Sequence, residues 1–197
     1  MISVETVVNK TLNSCSYLVY DTDTKRASLF DCGDVQPIID FLNRNHLELE
    51  SVFITHSHFD HIYGVNDIIA KYPSIKVYCS ALTLEGMQDE RINLSYMHVD
   101  DFTYNGIYNT ILINGTTHVL CLGRPLEIIE TPGHDKDCLS YILGDMLFSG
   151  DSFSYDFRVF TEWYRSDKRQ ALENESMLGC IAKERHLRVF SGHKIQK

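Results

Sequence analysis

The segment Thr55-His56-Ser57-His58-Phe59-Asp60-His61 places three histidines and an aspartate directly after the apolar run of residues 51–54. Side chains alternate along an extended chain, so His56 and His58 project to the same side and can bind one cation together. Asp60 and His61 fall at the start of a predicted helix, within reach of a second cation. Imidazole and carboxylate groups together suit zinc and similar divalent metals. The segment therefore predicts a metal site at the end of a buried strand.

A purely structural role explains this segment poorly. A single histidine is often a packed or surface residue with one hydrogen bond, but here four ionisable groups follow one apolar strand within six residues. Burying them without a ligand would cost free energy, because unpaired polar groups lose their hydration. We therefore favour the metal-site interpretation.

Outside this segment, hydrophobic periodicity predicts alternating strands and helices, with more strands than helices. The predicted strands cover residues 11–20, 27–30, 51–55, 76–79, 107–113, 117–122, 126–130, 139–143, 146–148 and 187–190. The predicted helices cover residues 35–45, the stretch after His61 up to Pro73, 81–89 and 167–184, with a loop over 91–105. Asn114-Gly115 and Gly144-Asp145 predict tight turns between consecutive strands. The elements form two halves that we expect to pack sheet against sheet, with helices outside.

Five motifs, in chain order, resemble those of the metallo-β-lactamase superfamily. The segment 55–61 matches its HxHxDH signature. Thr131-Pro132-Gly133-His134 resembles the second metal motif, the apolar strand ending in Gly150-Asp151 resembles the third, and Ser191-Gly192-His193 resembles the last. Upstream, Phe30-Asp31-Cys32-Gly33 resembles the element that supports the site. One motif can arise by chance, but five in order over nearly the whole chain are hard to explain otherwise.

The resemblance implies a fold and a ligand set. The fold class would be α/β (α+β), a four-layer αββα metallo-β-lactamase sandwich, with residues 1–197 as a single domain and the site at one edge between the two sheets. His56, His58 and His134 would hold the first metal. Asp60, His61 and His193 would hold the second, and Asp151 would bridge both. The two divalent ions would be zinc, with iron or manganese as alternatives, and Asp31 would support a metal-bound histidine from behind.

Within the superfamily, the motifs look most like those of glyoxalase II-type hydrolases. A hydroxide bridging the two metals would attack an ester, thioester or lactone of a small molecule, because metal coordination lowers the pKa of water to roughly 7 and polarises the target carbonyl. Asp60 would be the catalytic residue that orients this nucleophile or accepts its proton. The chain ends at Lys197, soon after His193, so we expect the C-terminal helical segment with which glyoxalase II proteins bind glutathione to be absent. A glutathione thioester is therefore one candidate substrate among several.

Departures from the family pattern and the segment after Asp151 supply candidates for substrate contacts. Ile62-Tyr63-Gly64 replaces the usual x-Gly-Gly and brings the phenol of Tyr63 near the cleft, unless this ring simply covers the start of the helix. Residues 135–138, Asp-Lys-Asp-Cys, replace the more usual Thr-x-Gly-Ser beside the site. Arg158 and Arg165 could bind a substrate carboxylate in bidentate fashion, and the alternative for each is a solvated surface charge.

Other chemistries of the same superfamily stay open. A mononuclear iron dioxygenase acting on persulfides binds one iron through two histidines and one aspartate, and its motifs overlap with these; metal identity and oxygen consumption distinguish it. Flavodiiron proteins hold two irons, but they have an acidic ligand within the first motif and a fused flavin domain, so His58 argues against that interpretation. A non-catalytic metal-binding module is disfavoured because every ligand type is retained.

Composition narrows the partners and the compartment. The formal net charge is -9 and no basic patch is visible, so we expect no nucleic-acid partner and no anionic membrane surface. No signal peptide or membrane-spanning run is visible, and the six scattered cysteines lack a CxxC pair. We therefore expect free thiols in a cytoplasmic protein that acts on a small molecule. Four histidines match no motif and are interpreted as ordinary surface or packing residues: His46, His98, His118 and His186.

Overall fold

Two β-sheets, one from each half of the chain, form the centre of the molecule. The computed structural model describes residues 1–98 and 101–194. Its strands are β1 (Ile2–Val8), β2 (Cys15–Asp21), β3 (Arg26–Phe30), β4 (Glu48–Phe53), β5 (Lys76–Cys79), β6 (Thr110–Leu112), β7 (Val119–Cys121), β8 (Arg124–Glu130), β9 (Leu139–Leu143), β10 (Met146–Gly150) and β11 (Arg188–Ser191). The first sheet has the order β1-β2-β3-β4-β5-β6, antiparallel up to β3 and parallel beyond it. The second has the order β11-β10-β9-β8-β7, in which β11 alone runs parallel to its neighbour.

Helices cover the outer faces of the two sheets. They are α1 (Val35–Asn45), α2 (Phe59–Ile62), α3 (Val65–Lys71), α4 (Ala81–Met87) and α5 (Lys168–Glu184), and single 3-10 turns occur at Ser95–Met97 and Ile107–Asn109. α1 buries Ile38 and Leu42, which lie on one face because they are one helical turn apart. It ends at His46, whose left-handed backbone (φ 54°) lets its amide bond back to the last turn. None of the helices in the described ranges is long and apolar enough to cross a membrane.

Aromatic side chains fill the space between the sheets. Phe30 of β3 stacks on Phe148 of β10 with ring centroids 3.9 Å apart and an interplanar angle of 3°. Phe53 and Tyr141 continue this cluster, and all four rings are buried. Full burial of one such side chain stabilises the fold by about 1.5–3 kcal/mol. The inter-sheet core is therefore the layer that fixes the two halves against each other.

Separate apolar cores join each sheet to its helices. Ile38 of α1 and Ile68 of α3 pack in one core with residues of the first sheet. Leu178 of α5 packs with Leu147 of β10 in another. The layers thus run helix, sheet, sheet, helix, which confirms the predicted αββα sandwich.

Several predicted boundaries shift in the structure. α1 covers the predicted residues, and α5 begins one residue later than predicted because Asp167 is its N-cap. The strand predicted over 11–20 begins only at Cys15, since Leu12 has a left-handed backbone (φ 54°) that ends any extended run. β1 was not predicted. Its side chains are mostly half-buried, so it lacks the alternation that marks a strand with one solvent face.

The hairpin predicted at Asn114-Gly115 is wrong. β6 pairs with β5 in the first sheet and β7 pairs with β8 in the second, so this turn carries the chain from one sheet to the other. The strand predicted over 107–113 is shorter than expected, because Ile107–Asn109 forms a 3-10 turn. The predicted loop at 91–105 contains the turn at Ser95–Met97, and its residues 99 and 100 lie outside the described residues. The hairpin at Gly144-Asp145, between β9 and β10, is confirmed.

Candidate metal centre

All seven predicted metal ligands lie together at the edge where the motif-bearing strands end. Their donor atoms form overlapping groups in which the atoms lie within 4.8 Å of one another: His56, His58 and His134; Asp60, His61 and His193; and His56, His61 and Asp151. Asp151 lies between the first two groups, because its Oδ2 is 3.3 Å from Nε2 of both His134 and His193. These residues therefore offer donors for two neighbouring cations.

Short turns after the strands aim these side chains at one another. His58 has an extended backbone directly before α2, whereas Asp60 and His61 fall within its single turn and project differently. Gly192 allows β11 to end against Asp151, since a Cβ at this position would lie 1.9 Å from Asp151 Oδ1. Only glycine permits such a close approach.

The outer nitrogens of His56 and His134 are both held by hydrogen bonds. Thr55 Oγ1 donates to Asp31 Oδ2 at 2.7 Å, so the same hydroxyl accepts from Nδ1 of His56 at 3.0 Å. Nδ1 of His134 donates to the carbonyl oxygen of Phe160 at 2.8 Å. A neutral imidazole carries one hydrogen, and here the outer partner claims it. Nε2 of each ring therefore turns its lone pair inward.

His61 and His193 follow the same rule. Nδ1 of His61 donates to Asp31 Oδ2 at 2.9 Å, and Nδ1 of His193 donates to the carbonyl oxygen of Leu12 at 3.0 Å. Their Nε2 atoms lie 3.4 Å apart inside the centre. Two lone pairs at this distance repel each other unless a proton or a cation lies between them. Metal ligation by these two histidines requires this arrangement, in which Nδ1 donates to an outer partner and Nε2 faces the metal.

Some carboxylate oxygens of the candidate centre find no hydrogen-bond partner among the described residues. These are the buried atoms Asp60 Oδ2 and Asp151 Oδ1, and Nε2 of His56 is in the same position. Asp60 Oδ2 lies 3.4 Å from Nε2 of both His61 and His193. Buried polar atoms normally have a hydrogen-bond partner, so these unpartnered atoms indicate that the site binds a ligand. Divalent cations fit it, because every unpaired atom is a nitrogen or oxygen donor.

The crowding of these groups shifts their pKa values. Burial alone would lower the pKa of His61, but the carboxylates of Asp60 and Asp151 and the hydrogen bond with Asp31 outweigh it and raise the pKa to about 10. Burial, reinforced by the neighbouring histidines, lowers the pKa of His56 well below its usual value. Burial would raise the pKa of Asp151, but the adjacent imidazoles hold it well below its usual range. A neutral His56 and an ionised Asp151 are the protonation states that ligands to a metal need.

The carboxylate of Asp135, which the sequence marked only as part of a departure from the family pattern, contacts His58 on the side away from His134. Asp135 is 1% exposed, and its Oδ2 lies 3.3 Å from Nε2 of His58. Arg165 Nε donates to Asp135 Oδ1 at 2.8 Å and to Oδ2 at 3.1 Å. The expectation that Arg165 binds a substrate carboxylate is therefore corrected: its guanidinium is buried against a carboxylate of this chain. The only signal in the sequence was the acidic replacement at residue 135.

A cleft of about 490 Å³ opens beside the donor atoms. His58, Asp60 and Asp151 lie among its lining residues. Its wall is mainly apolar and aromatic, with Leu94, Met97, Phe157, Phe160 and Trp163. Arg158, a predicted substrate contact, also lines it, together with Lys194. The cleft therefore offers an apolar surface and positive charge next to the candidate centre.

Tyr63 does not line this cleft. Its hydroxyl donates to Asp34 Oδ1 at 2.8 Å, beside the start of α1, and its ring lies 5.4 Å from that of Phe59. The expected substrate contact is thus corrected in favour of the alternative, a ring that covers a helix start. His98, interpreted from the sequence as an ordinary residue, does line the cleft, with its ring 4.6 Å from that of Phe59. No motif marks it.

Comparison with known proteins assigns the family. A family model described as "Metallo-beta-lactamase superfamily" matches residues 11–193. Among solved structures, the BLEG-1 B3 metallo-beta-lactamase is 25% identical with a TM-score of 0.83, over 98% of this chain and 92% of that one. ETHE1 from Myxococcus xanthus is 21% identical with a TM-score of 0.73, over 98% and 76% of the two chains. TTHA1623, solved in a di-iron-bound form, is 19% identical with a TM-score of 0.80, over 98% and 93%. Since the family match spans all the ligand motifs, this chain belongs to the metallo-β-lactamase superfamily.

Proposed function

We propose that this protein is a metal-dependent hydrolase, similar to glyoxalase II-type enzymes, that uses two divalent ions to cleave an ester, thioester or lactone of a small molecule. The observation that carries the proposal is the set of inward-facing donor atoms around Asp151, several of them buried without a hydrogen-bond partner. Membership of a superfamily whose members are generally metal-dependent hydrolases supports it.

The donor groups suggest how two ions would be held. The first ion would take His56, His58 and His134, the second would take Asp60, His61 and His193, and Asp151 would lie between them. Mixed nitrogen and oxygen donors of this kind suit zinc, with iron and manganese as alternatives. When bound, such ions supply Lewis acidity and lower the pKa of water towards neutrality.

We assign to Asp60 the role of accepting the proton of the attacking water. Its Oδ2 has no hydrogen-bond partner in residues 1–98 and 101–194, and the residue also lines the cleft. A carboxylate placed there orients an attacking water through Oδ2 and accepts its proton. Nε2 of His61 and of His193 each lie 3.4 Å from Oδ2, so one ion shared by the three side chains would keep this carboxylate in position.

The residues that line the cleft support a proposal about the kind of substrate. Leu94, Phe157 and Trp163 would bury an apolar acyl or aryl group beside the scissile bond. Arg158 is exposed and has no ion-pair partner among the described residues, so it is free to bind a carboxylate of the substrate. We therefore propose a small anionic molecule with an apolar part, rather than a nucleic acid, as the substrate of this protein of net charge -9.

A mononuclear iron dioxygenase acting on persulfides is the second candidate. His56, His61 and Asp151 form a group of two histidines and one carboxylate within 4.8 Å, which is the donor set of many non-haem iron oxygenases. Under this alternative one iron would bind, and the hydrolytic role of Asp60 would not apply.

Elemental analysis of protein purified without added metal tests both candidates. About two zinc ions per chain, together with hydrolysis in a panel of thioesters, esters and lactones, would support the binuclear hydrolase. About one iron per chain, with oxygen consumed in the presence of a persulfide, would replace it with the dioxygenase. Protein that takes up no divalent ion would contradict both.

We also propose a reducing compartment, the cytoplasm, as the site of action. All six cysteines are free, and five of them are buried, as in proteins whose thiols pack as small apolar groups. Cell fractionation with an antibody against the protein checks this, and recovery outside the cytoplasm would contradict it.

A further inference from the structure

One carboxylate oxygen is shared between a metal-ligand candidate and an arginine. Asp135 Oδ2 lies 3.3 Å from Nε2 of His58 and 3.1 Å from Nε of Arg165, whose second contact is with Oδ1 at 2.8 Å. All three side chains are buried: His58 is 5% exposed, Asp135 1% and Arg165 9%. The three side chains thus form a buried series of contacts that runs from His58 through Asp135 to Arg165.

Because it is buried, the ion pair of Asp135 and Arg165 differs in its energetics from a surface ion pair. Removing two charges from water costs free energy that their attraction offsets only in good geometry with further hydrogen bonds. Here the buried pair also contacts Nε2 of His58, at 3.3 Å from Asp135 Oδ2, where it can orient that ring. A carboxylate at Nε2 claims the hydrogen of that nitrogen, which leaves the lone pair on Nδ1, 3.0 Å from Nε2 of His134.

The segment that carries Arg165 also holds the other side of this donor group. Phe160 accepts from Nδ1 of His134 at 2.8 Å, and Ser166 Oγ donates to the carbonyl oxygen of His134 at 2.7 Å. Residues 160–166 therefore contact both His134 directly and His58 through Asp135.

We propose that Arg165 and Asp135 are positioning residues that fix the Nε2–H form of His58, so that Nδ1 faces the first metal. The inference rests on the proposed metal centre and adds to it a support that the usual Thr at residue 135 could not supply, because a hydroxyl carries no charge. Asp137 is a second buried carboxylate nearby, and its Oδ2 accepts from the amide of Ser57 at 3.0 Å rather than from His58 or Arg165.

The first test uses the wild-type protein loaded with zinc. Long-range ¹H–¹⁵N correlation spectra of the imidazole rings show which nitrogen of His58 carries the hydrogen, after assignment with His58→Gln. We expect hydrogen on Nε2 and metal on Nδ1. Hydrogen on Nδ1 would overturn the inference without touching the proposed function, because the metal would then still be bound.

Variants test the pair itself. Asp135→Asn keeps the shape and removes the charge, and we expect its affinity for the zinc ion of the His56, His58 and His134 group to fall by about 10- to 100-fold. Arg165→Gln should weaken binding by about tenfold, and Arg165→Lys should recover most of that loss because it restores the charge. Competition with a chromophoric chelator measures each affinity, and the spectrum of cobalt-loaded protein reports a change in ligand geometry.

The chain offers a matched control. Arg188 donates through Nε and Nη2 to Asp145 at 2.8 and 3.2 Å in an exposed pair away from the cleft, so Asp145→Asn should leave zinc affinity unchanged. Circular dichroism of the metal-free proteins separates misfolding from a local effect. If folded Asp135→Asn binds zinc as tightly as wild type and gives the same cobalt spectrum, the inference is wrong. If the wild-type protein itself binds no divalent metal, the proposed function fails with it.

Discussion

At the residue scale, the character of the centre depends on partners that lie outside it. Asp31 is 3% exposed and accepts from the amide of Thr55 at 2.8 Å, from its hydroxyl at 2.7 Å and from Nδ1 of His61 at 2.9 Å. Through Thr55 it also sets the orientation of His56. One carboxylate therefore orients a histidine of each donor group, and the two groups cannot move independently.

Replacement of Asp60 by alanine should remove hydrolytic turnover. Asp60→Ala deletes both the oxygen that we assign to the proton and a donor of the second group, so kcat should fall at least about 100-fold. The assay is hydrolysis of the best substrate found in the thioester, ester and lactone panel. Asp67→Ala, at an exposed position on α3, is the control and should retain full activity. Wild-type rates in Asp60→Ala would rule out this role.

The candidate donor residues and the support that Asp31 gives to His61 were predictable from the sequence, and the other supports were not. Each donor lies in a short motif at the end of a strand, so local spacing carries the information. Asp135 and Arg165 are 30 residues apart, and Phe160 contributes only a backbone oxygen, which no side-chain pattern reveals. The wrong assignment of Tyr63 has the same origin, since its partner Asp34 is close only in the folded chain.

At the element scale, the sequence predicted helices with one buried face well, but it did not predict which strands pair with each other. α1 and α5 follow from their apolar spacing and end groups. β1 escaped because it is half-buried along most of its length, and the turn at Asn114-Gly115 was misassigned because a local turn signal does not say which sheet each strand joins. The αββα layers therefore followed from element order, while strand partners required the structure.

The N-cap of α5 should contribute measurably to stability. The carboxylate of Asp167 accepts from the amides of Arg169 and Gln170 at 2.9 and 3.0 Å, so Asp167→Ala should lower the free energy of unfolding by about 1 kcal/mol. Urea titration followed by circular dichroism measures it. Glu173→Ala in the same helix removes only an exposed ion pair with Arg169 and should cost less than about 0.5 kcal/mol. Equal effects of the two substitutions would contradict the capping role.

The segment after β10 should select for anionic substrates through Arg158. Arg158→Ala removes from the cleft wall a guanidinium that pairs with no carboxylate in the described part of the chain. We therefore expect KM for a carboxylate-bearing substrate to rise about tenfold with little change in kcat. The neutral methyl ester of the same compound should show no such change. Arg124→Ala, at an exposed position outside the cleft, serves as the control. A similar rise in KM for both compounds would show that Arg158 does not recognise the charge.

At the scale of the whole molecule, the candidate centre joins the two halves of the chain. The first half contributes the segment 55–61, and the second contributes His134, Asp151 and His193. Backbone hydrogen bonds cross the same boundary, from Leu139 to Thr55 at 2.7 Å and from Cys15 to Gly192 at 2.7 Å. Bound ions would thus add to the inter-sheet core, and this arrangement underlies the prediction that residues 1–197 behave as a single domain.

Metal removal should lower the melting temperature of one cooperative transition. An ion present at about 100 times its dissociation constant stabilises the folded state by about 2.7 kcal/mol, and each kcal/mol shifts the melting temperature of a domain this size by about 2–4 °C. We therefore expect EDTA to lower it by at least about 5 °C in scanning calorimetry, and added zinc to restore it. EDTA already saturated with zinc is the control and should have no effect. Two separate transitions would contradict the single domain. One transition whose melting temperature EDTA leaves unchanged would contradict the metal centre. The reason is that the donors come from both halves of the chain, so loss of a bound ion must loosen the contact between those halves.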